Sequence, residues 1–165
     1  MKTTPNHGLE VGGFIGDGGQ EGSLDRNFQK IDKALGIVVK RRTNDDTQTW
    51  LTSDGNAPAG EANLFVLPDG ALFVFDIRIT AKSAANDIAA WQFIGAAKRV
   101  GNYLSIPGEL TSKTLLAADF GTDAWDVVVA TDDITKTLVV AVTGEPNTVI
   151  DWTATITMTA VQSSP

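Results

Sequence analysis

The residues able to perform acid–base or nucleophilic chemistry are few and scattered along the chain. The 165 residues include no cysteine and one histidine, His7. Without cysteine there is no thiolate nucleophile, no thiolate metal site and no disulfide framework. General-base catalysis needs an imidazole held by an orienting partner, and none adjoins His7 in the sequence. A zinc site would need several His or Cys ligands, which this chain lacks.

The carboxylates that stand next to each other do so where turns are predicted. Asp45-Asp46 and Asp132-Asp133 are adjacent pairs. Neighbours on a strand point to opposite faces, so such pairs seldom cooperate as acid and base, whereas aspartate is a common turn residue. The chain also lacks a G-x-S-x-G nucleophile elbow and a D-x-[DN]-x-[DN]-G calcium loop. We therefore expect a protein that is not an enzyme and uses no metal or cofactor.

Charge and hydropathy exclude two classes of partner. The net charge is -7, which argues against nucleic acid and anionic membranes, because phosphate binding depends on clustered Lys and Arg. No apolar run approaches the ~18 residues of a membrane span. Residues 1–5 lead into Gly and Asp rather than into the apolar segment of a signal peptide. The length suits one domain of ordinary size with a short appendage.

The strongest periodic pattern lies near the carboxyl terminus. From Trp152, every second residue is apolar (Trp152, Ala154, Ile156, Met158, Ala160) and the alternate positions are threonine (Thr153, Thr155, Thr157, Thr159). A period of two sends the two sets to opposite faces of a strand, and β-branched threonine favours the extended backbone. We predict a long strand with one face in a core. The threonine row is either solvent-facing or a pairing surface for a neighbouring subunit.

Most of the remaining chain also reads as strand and turn. The predicted strands are 37–39 with a return at 47–51, 64–67 with 72–82 around a Pro68-Asp69-Gly70 hairpin turn, 88–99, and a meander of 125–131, 138–143 and the last strand. Region 101–118 reads as less regular. Many short strands without alternating helices indicate a mainly β fold, an antiparallel β-sandwich of jelly-roll-like type over residues 37–165.

The aromatic and basic residues divide into core and surface candidates. Trp91, Trp125 and Trp152 lie on three predicted strands and are large enough to define the core. Trp50, beside a loop, is the best candidate for exposure, and Trp50 and Tyr103 are candidate glycan contacts. The run 40–42 (Lys-Arg-Arg) could be an anion patch, but two aspartates follow closely, so a solvated hairpin end is favoured.

The amino-terminal part differs from the rest. Residues 1–22 form a glycine-rich arm that we expect to be extended and to anchor on a partner, burying Phe14 and Ile15. Its glycines miss the spacings of phosphate-binding loops. Residues 23–36 predict one short helix, capped by Ser23 and stopped by Gly36. The apolar stripe of this helix is Leu24, Phe28, Ile31 and Leu35, spaced four, three and four. The stripe packs either on this chain's own β-domain or on copies of itself.

Two parts of the sequence together resemble a known family. Residues 24–35 (LDRNFQKIDKAL) resemble the N-F-x-x-I-D-x-A-L segment near the start of many tailed-bacteriophage fibre proteins. The segments 90–99, 125–127, 132–133, 138–144 and 152–161 resemble, in this order, a β-module of phage fibres and related virion proteins. The sequence departs from that pattern at Lys136, where glycine is expected. The resemblance implies a virion structural protein, trimeric, with a fibre or attachment role, and it supplies no catalytic residues.

We therefore expect a non-enzymatic tail fibre or tail-associated protein, assembled into the virion in the host cytoplasm. Its partners would be other virion proteins of the tail, baseplate or capsid, further copies in a homotrimer, and a host surface glycan. One alternative is a capsid decoration (cement or head-fibre) protein whose arm lies across capsomers. Another is a free carbohydrate-binding β-sandwich module, which would not need the glycine-rich arm or the helix stripe.

Overall fold

The computed structural model describes residues 36–56, 59–60, 63–109 and 111–162. The predicted arm and helix, with Phe14, Ile15, Leu24, Phe28, Ile31 and Leu35, lie outside these residues. The described part is an antiparallel β-sandwich, which confirms the predicted mainly β fold class. Its strands are β1 (Ile37–Thr43), β2 (Thr49–Trp50), β3 (Ala71–Ser83), β4 (Ile88–Val100), β5 (Tyr103–Ser105), β6 (Thr111–Ala118), β7 (Asp126–Asp132), β8 (Thr137–Thr143) and β9 (Ile150–Gln162).

The strands form a larger and a smaller sheet. The larger has the order β1-β9-β3-β4-β5, with β6 also pairing along β4, and the smaller has the order β2-β8-β7. The sheets are joined on one side, where the Lys40 N–H donates to the Thr52 carbonyl at 2.8 Å and the Leu51 N–H donates to the Val140 carbonyl at 2.9 Å. One stretch of chain therefore continues the hydrogen bonding from β1 to β8.

Three long strands make up the centre of the larger sheet. β3, β4 and β9 each have 13 residues, and β3 pairs with both of the others along most of its length. Phe73, Phe75, Ile77 and Ile79 are buried, while the alternate residues of β3 face outward, as their period of two predicts. The prediction that β9 is a long strand with one face in the core is also confirmed.

The three predicted core tryptophans contact one another between the sheets. Trp152 is only 1% exposed, and its ring centroid lies 5.9 Å from that of Trp91 and 6.0 Å from that of Trp125. Its indole Nε1–H donates to the buried Thr43 Oγ1 at 2.9 Å. The aromatic bodies thus fill the interior while the polar edge of Trp152 is hydrogen-bonded, as buried indoles require.

The predicted hairpin of strands 37–39 and 47–51 forms only in part, because the returning chain pairs with β1 at a single antiparallel bridge, Lys40 with Thr52. The turn at 44–46 forms, but β2 pairs with β8 in the smaller sheet. β1 instead pairs with β9 along all seven of its residues. Leu51, 1% exposed, enters the core where the chain crosses between sheets, and burying this side chain favours the crossing over a return along β1.

The predicted hairpin around residues 68–70 is also wrong. Asp69 and Gly70 form a turn, with Gly70 at φ +70°. Residues 64–67, however, do not pair with β3, because β4 and β9 already occupy both of its edges. Instead, the Leu67 N–H donates to the Lys136 carbonyl at 2.9 Å and Val66 bridges Thr137.

The predicted three-stranded meander is right for its first hairpin and wrong for its last step. β7 and β8 pair over seven residues, but the turn at 144–147 sends β9 into the larger sheet between β1 and β3. A Cβ at Gly144 would lie 2.7 Å from both the Asp45 carbonyl oxygen and Thr43 Oγ1. Only glycine permits this close approach between the turn that precedes β9 and the end of β1.

Candidate interaction surface

The outer face of the larger sheet carries the threonine row. Thr153, Thr155, Thr157 and Thr159 are exposed. Thr153 and Thr155 lie between β1 and β3, so that Thr155 has Val38 on one side and Arg78 on the other, whereas Thr157 and Thr159 lie beyond the end of β1 and pair with β3. The structure places the row at the surface of the single chain. Its use as a pairing surface stays a prediction.

The basic run 40–42 lies in the last part of β1, directly before the turn at 44–46, and two of its three side chains are exposed. Arg42 donates from Nε and one terminal nitrogen to the two carboxylate oxygens of Asp151, at 2.7 and 3.0 Å. The hydrogen bond from Arg42 lowers the pKa of Asp151. Arg41 donates to the Gly55 carbonyl at 3.4 Å. Two of the three cationic side chains therefore already have protein acceptors.

The adjacent aspartate pairs serve turns. Asp132 accepts hydrogen bonds from the N–H and the hydroxyl of Thr135, which lower the pKa of its carboxyl. Asp133 accepts from the Leu104 N–H at 2.8 Å and so ties the β7–β8 turn to β5. Asp45 accepts from the Thr47 N–H at 2.9 Å. Asp45 and Asp132 accept from N–H groups of their own turns, which confirms them as turn-forming residues, while Asp133 links its turn to β5.

The two candidate glycan contacts lie at opposite edges of the sandwich. Trp50 is half-buried on β2, next to the junction with β1. Tyr103 is 73% exposed on β5, which follows β4 at the other end of the larger sheet. The strand order keeps the two aromatic rings apart, so they cannot form one sugar-stacking platform.

The most unusual surface is the edge formed by β6, which we call the β6 edge (Thr111–Ala118). β6 pairs with β4 on one side, and no described strand pairs with its other side. Seven of its eight residues are exposed and the first is half-buried, with Leu115 at 58% and Leu116 at 53%. Phe120, two residues beyond the strand, is fully exposed. Unpaired strand edges of this kind are templates for pairing with another strand.

A single cation connects the β6 edge to the smaller sheet. Lys113 Nζ donates to a carboxylate oxygen of Asp126 and to the Val127 carbonyl, the latter at 2.8 Å. The same ammonium lies 5.7 Å from the ring centroid of Phe93. Lys113 therefore reaches from β6 to β7 across the Phe93 ring, and its charge is paired with Asp126.

Sequence reasoning missed the β6 edge. Region 101–118 was predicted to be less regular, yet it contains β5, a short 3-10 turn at Pro107–Glu109 and β6. The run Leu115-Leu116-Ala117-Ala118 does not alternate, because a bulge interrupts the pairing between Ala90 and Trp91. The available signal was the segment Thr111–Leu116, rich in threonine and leucine and free of Gly and Pro.

Three further findings bear on function. No group of three or more His, Cys, Asp or Glu side chains in the described ranges is arranged to hold a metal ion. Among these residues no helix is long and apolar enough to cross a membrane. The sequence matches no protein-family model and no curated protein at a significant level.

Proposed function

We propose that this chain is a non-enzymatic structural component of a tailed-bacteriophage virion, specifically a short tail fibre or tail-associated protein. In this proposal residues 1–22 and the helix at 23–36 anchor the chain to other virion proteins. The stripe of Leu24, Phe28, Ile31 and Leu35 joins copies into a homotrimer. The β-sandwich then faces outward and presents its surface to the host.

One observation carries the proposal beyond the sequence resemblance. Segments 90–99, 125–127, 138–144 and 152–161, which carry that resemblance, supply strand residues of β4, β7, β8 and β9. Their three tryptophans, Trp91, Trp125 and Trp152, lie in one contact cluster. The resembling residues thus share a single core rather than being spread over unrelated parts of the surface. This arrangement supports an intact fibre-type β-module.

The surface chemistry fits a structural role better than a catalytic one. The described carboxylates with lowered pKa accept hydrogen bonds from turn residues or from Arg42, rather than facing each other across a cleft. Exposed Tyr103 offers the better contact for a host glycan, because Trp50 is half-buried. A capsid decoration protein would use the same arm and sandwich at a different place on the particle.

Deletion of residues 1–22 tests the anchoring role. We expect the shortened protein to keep the β-sandwich, seen as an unchanged β-type circular dichroism spectrum, but to be missing from purified particles. Ile134→Ala is the control, because this side chain is 86% exposed at the turn between β7 and β8, and this variant should be incorporated normally. If the shortened protein were incorporated as well as the control, the arm would not be the anchor.

A further inference from the structure

We propose that the β6 edge pairs with the same edge of a second copy of this chain, antiparallel about a two-fold axis, to give one continuous sheet through both molecules. This inference does not rest on the proposed virion function. It rests on the hydrogen-bonding capacity, the side chains and the register of β6.

The two edge strands of the larger sheet, β1 and β6, differ in how well their outer sides are protected from pairing. The outer side of β1 is occupied at its centre, where Lys40 exchanges backbone hydrogen bonds with Thr52, and it carries the Lys-Arg-Arg run. Charged residues and covering segments are the usual protection of an exposed strand against unwanted pairing. β6 has neither proline nor carboxylate, and its one cation is tied down by Asp126. Among the described residues no strand pairs with its outward backbone groups, and such groups are a template for an added extended strand.

The β-bulge makes β6 complementary to itself. Trp91 pairs with Leu115 and Ala90 with Ala117, so Leu116 is the extra residue. Because of this extra residue, Lys113, Leu115 and Ala118 share the face of the sheet that meets the core, while Thr114 and Ala117 share the outer face.

A two-fold axis between the two leucines therefore gives a consistent register. It places Lys113 opposite Ala118 of the second copy and Thr114 opposite Ala117, and in both pairs the two side chains lie on the same face, as antiparallel pairing requires. In a strand without a bulge, such an axis would pair residues an odd number of positions apart. Their side chains would then point to opposite faces of the sheet, which antiparallel pairing does not allow. Leu115 and Leu116 of the two copies meet at the axis and cover each other.

Charge favours the same pairing. The chain as a whole carries a net charge of -7, so two copies repel each other unless they meet through a surface without net negative charge. β6 itself carries no carboxylate, and its one cation, Lys113, is paired with Asp126. The β6 edge therefore brings no excess negative charge to the two-fold interface.

The contact is short, and this determines how it should be measured. Eight residues at ~3.4 Å each make an edge ~27 Å long, which is small beside standard stable interfaces. We therefore expect an association that depends on concentration. Light scattering on the full chain should give a mass at high concentration that is at least twice the mass on dilution.

The double variant Leu115→Lys, Leu116→Lys places four cations at the axis. We expect it to stay at the lower mass over the whole concentration range, so that the wild type reaches at least twice the number of chains of the variant. Leu72→Lys is the matched control, since it adds a cation at a similarly exposed leucine on the outer face of β3, and it should behave as the wild type. The ratio is two if the basic unit is one chain, and at least two if it is a trimer, which carries three β6 edges. The mass of the variant therefore reports on the trimer, and its ratio to the wild type reports on the pairing.

Backbone amide exchange on the wild type keeps the test valid even if the double variant does not fold. The amides of Thr111–Ala118 that point away from β4 should become slower to exchange as the concentration rises, while those of β1 stay unchanged. A mass that does not change with concentration, together with unchanged exchange in β6, would overturn the inference.

Discussion

Trp152 lies between the other two core tryptophans and is the residue on which the packing of the sandwich most depends. Its ring contacts Trp91 and Trp125, and its Nε1–H is bonded to Thr43. A period of two was enough to predict that it faces the core. It could not predict the bond to Thr43, because that requires knowing that β1 lies beside β9.

Trp152→Ala should cost ~3–5 kcal/mol in the free energy of unfolding, since it leaves a cavity and removes the partner of a buried hydroxyl. Urea denaturation followed by fluorescence of the remaining tryptophans measures this loss. The exposed substitution Ile134→Ala should stay within about 0.5 kcal/mol of the wild type. A melting shift of a degree or less in Trp152→Ala would show that this residue is not core.

Lys136 shows how a departure from a familiar pattern can be read physically. Glycine was expected at this turn position, and Lys136 has φ +58°, in the left-handed region that favours glycine. The turn therefore keeps the backbone shape that glycine would adopt easily, with a lysine whose Nζ is bonded to the Asp133 carbonyl.

Lys136→Gly should raise the free energy of unfolding by about 0.5–1 kcal/mol, because it relieves a left-handed residue that costs more than glycine loses in chain entropy. Lys136→Ala is the control, since it removes the same Nζ bond but keeps the unfavourable φ, and it should bring no gain. Chemical denaturation of both variants compares them directly. Equal stability of the glycine and alanine variants would refute the strain.

At the scale of elements, alternation predicts which face of a strand is buried but not which strand lies beside it. Alternation predicts the buried faces of β3, β4 and β9 correctly. The hairpin around 68–70 and the last step of the meander are wrong, and the hairpin of 37–39 with 47–51 forms at one bridge only. In each case a neighbouring stretch pairs elsewhere: β2 and residues 66–67 lie along β8, and β9 lies between β1 and β3. These pairings depend on the core that both sheets share, which no local pattern reveals.

Apolar alternation does not predict β6 at all, and the cause lies in the strand itself. An edge strand with exposed residues on both faces has no apolar alternation, and its bulge breaks the period where the leucines stand. The signals that make β6 hard to predict are the ones that make it suitable for pairing with a second copy.

At the scale of the whole molecule, the proposed function divides the work between two parts of the chain. In this proposal the sandwich offers its threonine face and β6 edge to partners, while the amino-terminal residues, which carry the segment that resembles the start of fibre proteins, anchor the chain. A trimer formed through the helix stripe and a pair formed through β6 would together join copies in multiples of three. Such an assembly suits a protein that is repeated on a particle.

Locating the protein on purified phage particles tests the central proposal most directly. Imaging of particles, with labelling of this chain by a specific antibody, should show it at fixed positions on the tail, in groups of three copies. Regular positions on the head would instead support a capsid decoration protein. Absence of the chain from purified particles would contradict the virion role altogether.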